Sequence, residues 1–348
     1  GNGRFLYSAL HRFSNDDLMA FFQEQGVELK IERGQRVFPV SDDADQVANA
    51  LEQFARANGA RFHFGTRVQD LIVREGAVVG VVASGHGGVK EYYADAVLLA
   101  TGGMSYPGTG SSGDGYRLAQ AVGHTINTPR ASLVPLRVRE EWVKGLAGLT
   151  LRNVELTFHN GKSSFSEFGE MMFTHFGITG PIVLTASDTV GEWLRQGASE
   201  VQAFLDLKPA LSPEQLDRRL VRDFEKFSRK QFKNALDELL PKSLIPVMIE
   251  LSGISPDKPV NQLTKEERLM FRDLLKRVPI TINETLPIAT AIVTAGGVAV
   301  DEVSPRTMES RVVKGLFFAG EVLDVHGVTG GFNLQAAFST AYVAAGAF

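Results

Sequence analysis

Five apolar residues, Ala96-Val97-Leu98-Leu99-Ala100, run without a polar break into Thr101-Gly102-Gly103. A strand with one face in water alternates polar and apolar residues. A short unbroken run bounded by glycines is what a strand covered on both faces requires, and such strands belong to parallel sheets flanked by helices. The glycines that follow let a backbone pass close to a flat ligand. Near the other end of the chain the same design returns in Gly315-Leu316-Phe317-Phe318-Ala319-Gly320. A carboxylate, Glu321, follows at once, and a glycine-rich loop then feeds a helix whose first turn reads Gly331-Phe332-Asn333-Leu334. At the carboxyl end of such a strand Glu321 can accept hydrogen bonds from a sugar or sugar-alcohol hydroxyl. The helix start offers unpaired N–H groups and positive dipole to a phosphate, or to the N1–C2=O edge of a reduced flavin.

Along the whole chain the texture changes twice. Phe13–Gln25 is predicted as a helix capped by Asn15 or Asp16 and ended by Gly26. Val27–Ile31 and Gln35–Pro39 are predicted as strands around the turn Glu32-Arg33-Gly34, and Asp43–Asn58 as an amphipathic helix. Arg61–Phe64 reads as a short strand, and Val68–Arg74, Val78–Ala83 and Val89–Tyr93 as a three-stranded meander. Tyr116–Val122 is predicted as a helix, with Asp114 as its N-cap or first-turn acid. The order of elements implies a doubly wound α/β core with a three-stranded flap. From about Thr128 to Pro287 the strands Leu133–Val138, Leu151–His159, Phe165–Phe173 and Val201–Asp206 suggest an antiparallel barrel or sandwich. Pro213–Leu239, Ser243–Leu251 and Thr264–Arg277 suggest a helical cluster. The expected domains are residues 1–127 with 288–348, a nucleotide-binding core; 128–210, a β-barrel-like insertion; and 211–287, a helical insertion.

Composition excludes several classes. The 348 residues carry 36 basic and 40 acidic side chains, a net charge of −4, which argues against overall attraction to nucleic acid. There is no cysteine, hence no disulfide framework, thiol nucleophile or iron–sulfur cluster in this stretch. No apolar run approaches the ~20 residues of a membrane-spanning helix, so no membrane partner is expected. No histidine–carboxylate spacing matches a metal site, and no G-x-S-x-G elbow is present. The loop Gly108–Gly113 formally fits G-x-G-x-x-G, but it begins past the strand end and has no acid ~20 residues on to hold a ribose. The chain opens at Gly1-Asn2-Gly3-Arg4 without an initiator Met and closes inside the small-residue pattern 336–347. It is therefore expected to be a piece of a longer protein.

Four motifs together resemble the BaiN/YhiN-like family of FAD-dependent oxidoreductases. They are Ala100-Thr101-Gly102-Gly103; Gly110-Ser111-Ser112-Gly113-Asp114-Gly115-Tyr116; Met172-Phe173-Thr174-His175-Phe176-Gly177-Ile178-Thr179-Gly180-Pro181; and Gly320-Glu321-Val322-Leu323-Asp324 with Thr329-Gly330-Gly331-Phe332-Asn333. The last two are specific to that family, and the first two are shared more loosely with succinate dehydrogenase and fumarate reductase flavoproteins. The resemblance runs over essentially the whole chain. It implies a Rossmann-type FAD domain interrupted by a β-barrel-like part and a helical part, and a cytoplasmic enzyme using FAD and NAD(P)H. The family's opening strand, its G-x-G-x-x-G loop and a Gly-Gly-Gly-Arg-Cys-Asn segment do not occur in this sequence, so part of the FAD contacts is expected outside it.

Carried over residue by residue, the resemblance implies that the Val68 backbone meets the adenine and that Thr101, Gly102 and Gly103 lie along the adenosine side. Glu321 would hold the ribityl or pyrophosphate region. Gly330, Gly331, Phe332, Asn333 and Leu334 would line the isoalloxazine edge. His175 and His326 are the candidate catalytic residues, since an imidazole with a reference pKa near 6.5 can protonate a substrate carbon or orient a carbonyl. For His175 the alternative is a hydrogen-bonded histidine that stabilises its turn; for His326 it is loop packing. Arg218, Arg219, Arg222, Lys226, Arg229, Lys230 and Lys233 fall on one predicted helix, and Lys265, Arg268, Arg272, Lys276 and Arg277 on another. Such a basic helical part can contact RNA, although acids are interspersed and mixed-charge faces are commonly just solvated. Within the family two acceptor classes are known, enone-type small molecules and uridine in ribosomal RNA, and both contain a conjugated C=C bond. The alternative is a non-catalytic nucleotide-binding scaffold.

Overall fold

The structure, a computed structural model, describes residues 2–32 and 34–348. Arg33, in the turn predicted between the first two strands, lies outside the described residues, as does Gly1. The chain divides into two compact units, one formed by Gly1–Ala131 with Ile288–Phe348 and the other by Ser132–Pro287.

The first unit opens with α1 (Tyr7–Arg12) and α2 (Asn15–Glu24). The cap of α2 is Ser14 rather than Asn15 or Asp16: its hydroxyl accepts from Asp17 N–H while the Asp17 carboxylate takes the Ser14 N–H, a reciprocal capping box. A hairpin of β1 (Leu29–Glu32) and β2 (Arg36–Pro39) follows, then α3 (Ala44–Ala57), capped by Asp43. Arg61–Phe64 forms no strand: residues 61–63 have no regular structure and Phe64 enters a turn. The antiparallel sheet of β3 (Arg67–Arg74), β4 (Ala77–Gly85) and β5 (Gly88–Tyr93) is the expected meander. β6 (Val97–Leu99), α4 (Asp114–Ala121) and β7 (Ile126–Ser132) complete this part.

The second unit holds β8 (Leu136–Val138), β9 (Thr150–His159), β10 (Ser164–Phe173), β11 (Gly177–Thr179), α5 (Pro181–Arg195), β12 (Val201–Asp206), α6 (Pro213–Lys226), α7 (Ile245–Ser252), α8 (Lys265–Lys276) and β13 (Val278–Thr285). Its six strands close into a barrel in the order β10-β11-β8-β13-β12-β9. Alternation decides which residues face inward. On β9 Val154, Leu156 and Phe158 are buried while Glu155, Thr157 and His159 are not, and Ala203 and Leu205 of β12 and Ile280 and Ile282 of β13 join the buried set. The sequence reading made no strand of Val278–Thr285 and placed those residues with the helices. In fact β13 returns after them to complete the barrel, pairing with both β8 and β12. Leu216, Leu220, Phe224, Phe232 and Phe271 from the helical part share one continuous core with the barrel residues.

The helix predicted over Pro213–Leu239 stops at Lys226, and a 3-10 turn at Phe232–Asn234 follows. Of the basic residues assigned to it, Arg229, Lys230 and Lys233 therefore lie beyond its end. The chain then returns to the first unit with β14 (Val293–Val298), β15 (Leu316–Phe318) and α9 (Gly330–Ala345). Among the described residues no helix is long and apolar enough to cross a membrane.

Candidate functional site

In the first unit β6 and β15 run parallel and in direct register, Val97 against Leu316, Leu98 against Phe317 and Leu99 against Phe318. One further bond, Ala319 N–H to Leu99 C=O at 3.1 Å, carries the pairing past the strand ends. The two glycine turns after Leu99 and after Phe318 are thus neighbours at the carboxyl edge of a parallel pair, where open α/β sheets bind ligands.

Glu321 joins them. One of its carboxylate oxygens accepts from Gly103 N–H (3.1 Å), the other from Thr294 N–H (2.6 Å). The hydroxyl of Thr294, which is fully buried, accepts from the N–H groups of Met104 (2.8 Å) and Ser105 (3.1 Å). Three segments of distant sequence are therefore tied by one carboxylate and one hydroxyl. Gly103 has to be glycine here, because a Cβ would stand 2.3 Å from Thr294 Oγ1 and 3.0 Å from Glu321 Oε2. Gly102 takes a left-handed conformation, φ +70°. Thr101 is exposed at the start of the turn, and a Cβ on Gly115 of α4 would fall 2.0 Å from its hydroxyl, so α4 docks on the turn through that glycine. Tyr116 donates to the Glu321 carbonyl (3.3 Å); burial, then the nearby carboxylates of Glu321 and Asp324, keep its phenol protonated.

Asp114 is the first-turn acid of α4 and not its cap, which is Gly113 in the left-handed region. Its carboxylate receives a bidentate pair from Arg67 of β3 (2.7 Å to each oxygen), and that pair first of all holds it below the usual carboxylate range. Val68, next along β3, is half-buried and paired with Ala83 of β4.

At the start of α9 the predicted residues divide. Gly330 and Gly331 lie in the first helical turn, at φ values outside the left-handed region, and a Cβ on either would meet nothing within 4 Å. Nothing in the chain's own packing demands glycine at those two positions. Phe332 and Leu334 are 63% and 62% exposed. Asn333 has a different role from the one expected of its side chain. It accepts from Gly327 N–H (2.9 Å) and donates to the carbonyls of Gly327 (3.0 Å) and Thr329 (2.8 Å), so its amide is used in shaping the loop and not in presenting a donor to a ligand. No side chain caps α9.

The two histidines separate. His326, half-buried, stands in the loop that Asn333 holds, between Val325 and Gly327. His175 is exposed in the second unit, in the turn between β10 and β11, edge-on to the Phe176 ring at 4.9 Å. Among the described residues its ring makes no hydrogen bond that closes the turn. Thr174 does, its hydroxyl accepting from Phe176 and Gly177 N–H. Sequence reasoning missed Thr174 and Thr294. The second carried a readable signal, a threonine inside an apolar strand immediately before Ala295-Gly296-Gly297.

The basic residues of the helical part are largely spent on neighbours. Arg268 pairs with Asp217, Lys226 with Glu238, Lys233 with Asp257, Arg272 with Asp273 and Lys276 with Asp206, while Arg219 and Arg222 share Asp223. Phe224 and Phe232 are buried in the core.

A parallel pair whose strand-end turns are tied into one wall, with a glycine-opened helix start beside it, defines a Rossmann-type α/β protein. The chain belongs to the HI0933-like Rossmann domain family, the BaiN/YhiN-type flavoproteins, whose model matches residues 1–347. It is 33% identical to the 3-dehydro-bile acid delta(4,6)-reductase of Clostridium scindens, over 98% of this chain and 81% of that protein. It is 34% identical to the ribosomal RNA dihydrouridine synthase of Haemophilus influenzae, over 99% and 82%. Among solved structures it is similar to the FrdA subunit of E. coli quinol fumarate reductase, with a TM-score of 0.46 and 16% identity over 98% of this chain. The match spans 56% of that subunit's length.

Proposed function

We propose that the protein is an FAD-dependent oxidoreductase that takes hydride from NAD(P)H and reduces a conjugated C=C bond, with uridine in ribosomal RNA as acceptor. The observation that carries this reading is the Glu321 tie, which makes one wall of two turns that lie 218 residues apart in sequence. The names of two relatives, a delta(4,6)-reductase and a dihydrouridine synthase, support the reaction class.

The residues fit the cofactor. Glycine in a helix interior costs roughly 0.5–1 kcal/mol relative to alanine, so two glycines that no neighbour requires are accounted for by a ligand that approaches their backbone. Thr101, Gly102 and Gly103 would hold the adenosine side with Val68, and Gly330, Gly331 and the exposed Phe332 and Leu334 the ring edge. Bound FAD supplies two-electron chemistry, receiving hydride from the nicotinamide and passing it on. The first-turn N–H groups and dipole of α9 favour negative charge at the ring edge. Phe332 and Leu334 exclude water there. The acceptor takes hydride at one carbon of its C=C bond and a proton at the other, and His326, in the loop that leads to α9, is the candidate of this unit to deliver that proton.

The test is the visible absorbance of the full-length protein before and after anaerobic addition of NADH or NADPH. A flavin band that bleaches, and returns on adding a ribosomal RNA fragment, is the expected result. Return with a steroid-like enone alone would replace the acceptor. A colourless protein that takes up no FAD would overturn the redox reading and leave a nucleotide-binding scaffold.

A further inference from the structure

The second unit carries a cavity that plays no part in the crevice chemistry. On α6, Gln215, Arg218, Arg219 and Arg222 stand at i, i+3, i+4 and i+7, one face of a helix, and with Leu211 they line a space of about 460 Å³. Each polar group there is turned to donate. The Gln215 side-chain carbonyl is occupied by Ser212 N–H (2.9 Å) in the capping box of α6, which leaves its amide hydrogens for the cavity. Arg219 is anchored by Asp223 (3.4 Å) and the Glu238 carbonyl (3.3 Å), and Arg222 by the same carboxylate (3.1 Å). Asp223 is buried, so one carboxylate serves two fixed guanidiniums. Arg218 is exposed and makes no ion pair among the described residues; Glu214, whose carboxylate feels its charge, accepts a hydrogen bond from the Ser212 hydroxyl. Lys208, half-buried beside Arg219, has no ion-pair partner among the described residues, and burial first and Arg219 second push its pKa down.

Of the three guanidiniums that line the cavity, two share the Asp223 carboxylate and the third, Arg218, is in no ion pair among the described residues. Elsewhere in the helical part Lys226, Lys233, Lys258, Arg268, Arg272 and Lys276 each pair with a carboxylate of their own. A cavity lined by three guanidiniums, with a glutamine whose carbonyl is already bonded, suits a ligand with several acceptor oxygens and negative charge, which is the chemistry of a phosphate group.

We infer that the Gln215–Arg218–Arg219–Arg222 face of α6 is a phosphate-binding groove that docks the phosphodiester backbone of the RNA acceptor. The inference rests on the reading that the acceptor is RNA, and it adds a contact surface remote in sequence from the flavin motifs. Phosphate contacts position a nucleic acid without reading its bases, so the groove supplies affinity and not base selection.

The experiment is the salt dependence of RNA binding by the flavin-loaded full-length protein, with Arg218→Ala and the double variant R218A/R222A. Each lost phosphate contact on a single strand lowers the slope of log K against log salt by ~0.7, so decreases of about 0.7 and about 1.4 are expected. The double variant should bind roughly tenfold more weakly or worse. Flavin content and reduction by NAD(P)H should not change. Arg218 has no ion pair to lose, so the single variant stays informative if the double one folds poorly. Inorganic phosphate, against chloride at equal ionic strength, should compete with RNA in the parent protein and not in R218A/R222A. Unchanged slopes in both variants, or binding of inorganic phosphate with no RNA binding, would overturn the proposal. RNA binding through the groove by a protein without reducible flavin would leave the groove standing and remove the redox reading instead.

Discussion

Glu321 uses both carboxylate oxygens inside the protein, one on Gly103 N–H and the other on Thr294 N–H. A carboxylate directly after a buried strand and a glycine was expected to face a ligand; it does stand at the strand end, but with its oxygens bonded in this way. Thr294 shows the limit of reading residues singly, because its partners Met104 and Ser105, 190 and 189 residues away, leave no local trace. His124 is a second buried polar centre that periodicity could not reveal. Ser310 Oγ already accepts from Val312 (2.9 Å) and Val313 (2.8 Å) N–H, so its proton goes to His124 Nε2 (2.8 Å), and Nδ1–H donates to Glu302 (3.1 Å). The network is complete only with a neutral ring, and burial lowers the His124 pKa from 6.5 against the pull of Glu302. Burial would raise Glu302, but bonds from Thr125 and His124 hold it low, so it stays ionised through this range. A histidine whose pKa is lower folded than unfolded contributes stability that is fully present above 6.5 and is lost as pH falls through the folded value. Urea titrations should show stability falling below pH 6.5. In His124→Gln that slope should flatten, with a loss of about 1–3 kcal/mol at neutral pH from the unsatisfied buried partners. A variant with the parent's pH dependence would assign the slope elsewhere.

Among the elements, α9 is where stability and binding should oppose each other. Gly331 occupies a helical turn with open space about its Cα, so Gly331→Ala should stabilise the flavin-free protein by about 0.5–1 kcal/mol. The same methyl group would stand between the helix backbone and the ring edge, and FAD affinity should drop at least several-fold by fluorescence titration. Higher melting temperature with unchanged affinity would place the flavin elsewhere. Long periodic elements were legible: α3, β9, β10, α8 and the meander lie close to where alternation and caps put them. The exceptions have physical causes. Arg61–Phe64 has strand composition, but a strand exists only where a neighbour accepts its bonds. The basic, helix-favouring stretch after Lys226 breaks into a 3-10 turn, which places Phe232 in the core. Val278–Thr285 alternates only in part and carries Pro279, yet the barrel takes it as the strand that joins β8 to β12.

For the whole molecule, the organisation predicts independence of the second unit. Ser132–Pro287 is one uninterrupted stretch with its own core, and its ends are drawn together by β8 and β13, including Leu286 N–H to Pro135 C=O at 3.0 Å. Expressed alone, residues 132–287 should melt cooperatively with near-ultraviolet dichroism from Trp142 and Trp193, both packed against that core. A non-cooperative fragment would mean that the barrel needs the rest of the chain. By itself the sequence determined the kinds of element and the two glycine turns, because burial on both faces, capping and backbone freedom are written in neighbouring residues. Only the tertiary structure decided that the turns share one wall, that Thr294 and Glu321 tie it, that β13 completes the barrel and that the cations of α6 face a common cavity. Each of these is a pairing across long stretches of chain, fixed by which buried donors and acceptors must find partners once the core has closed.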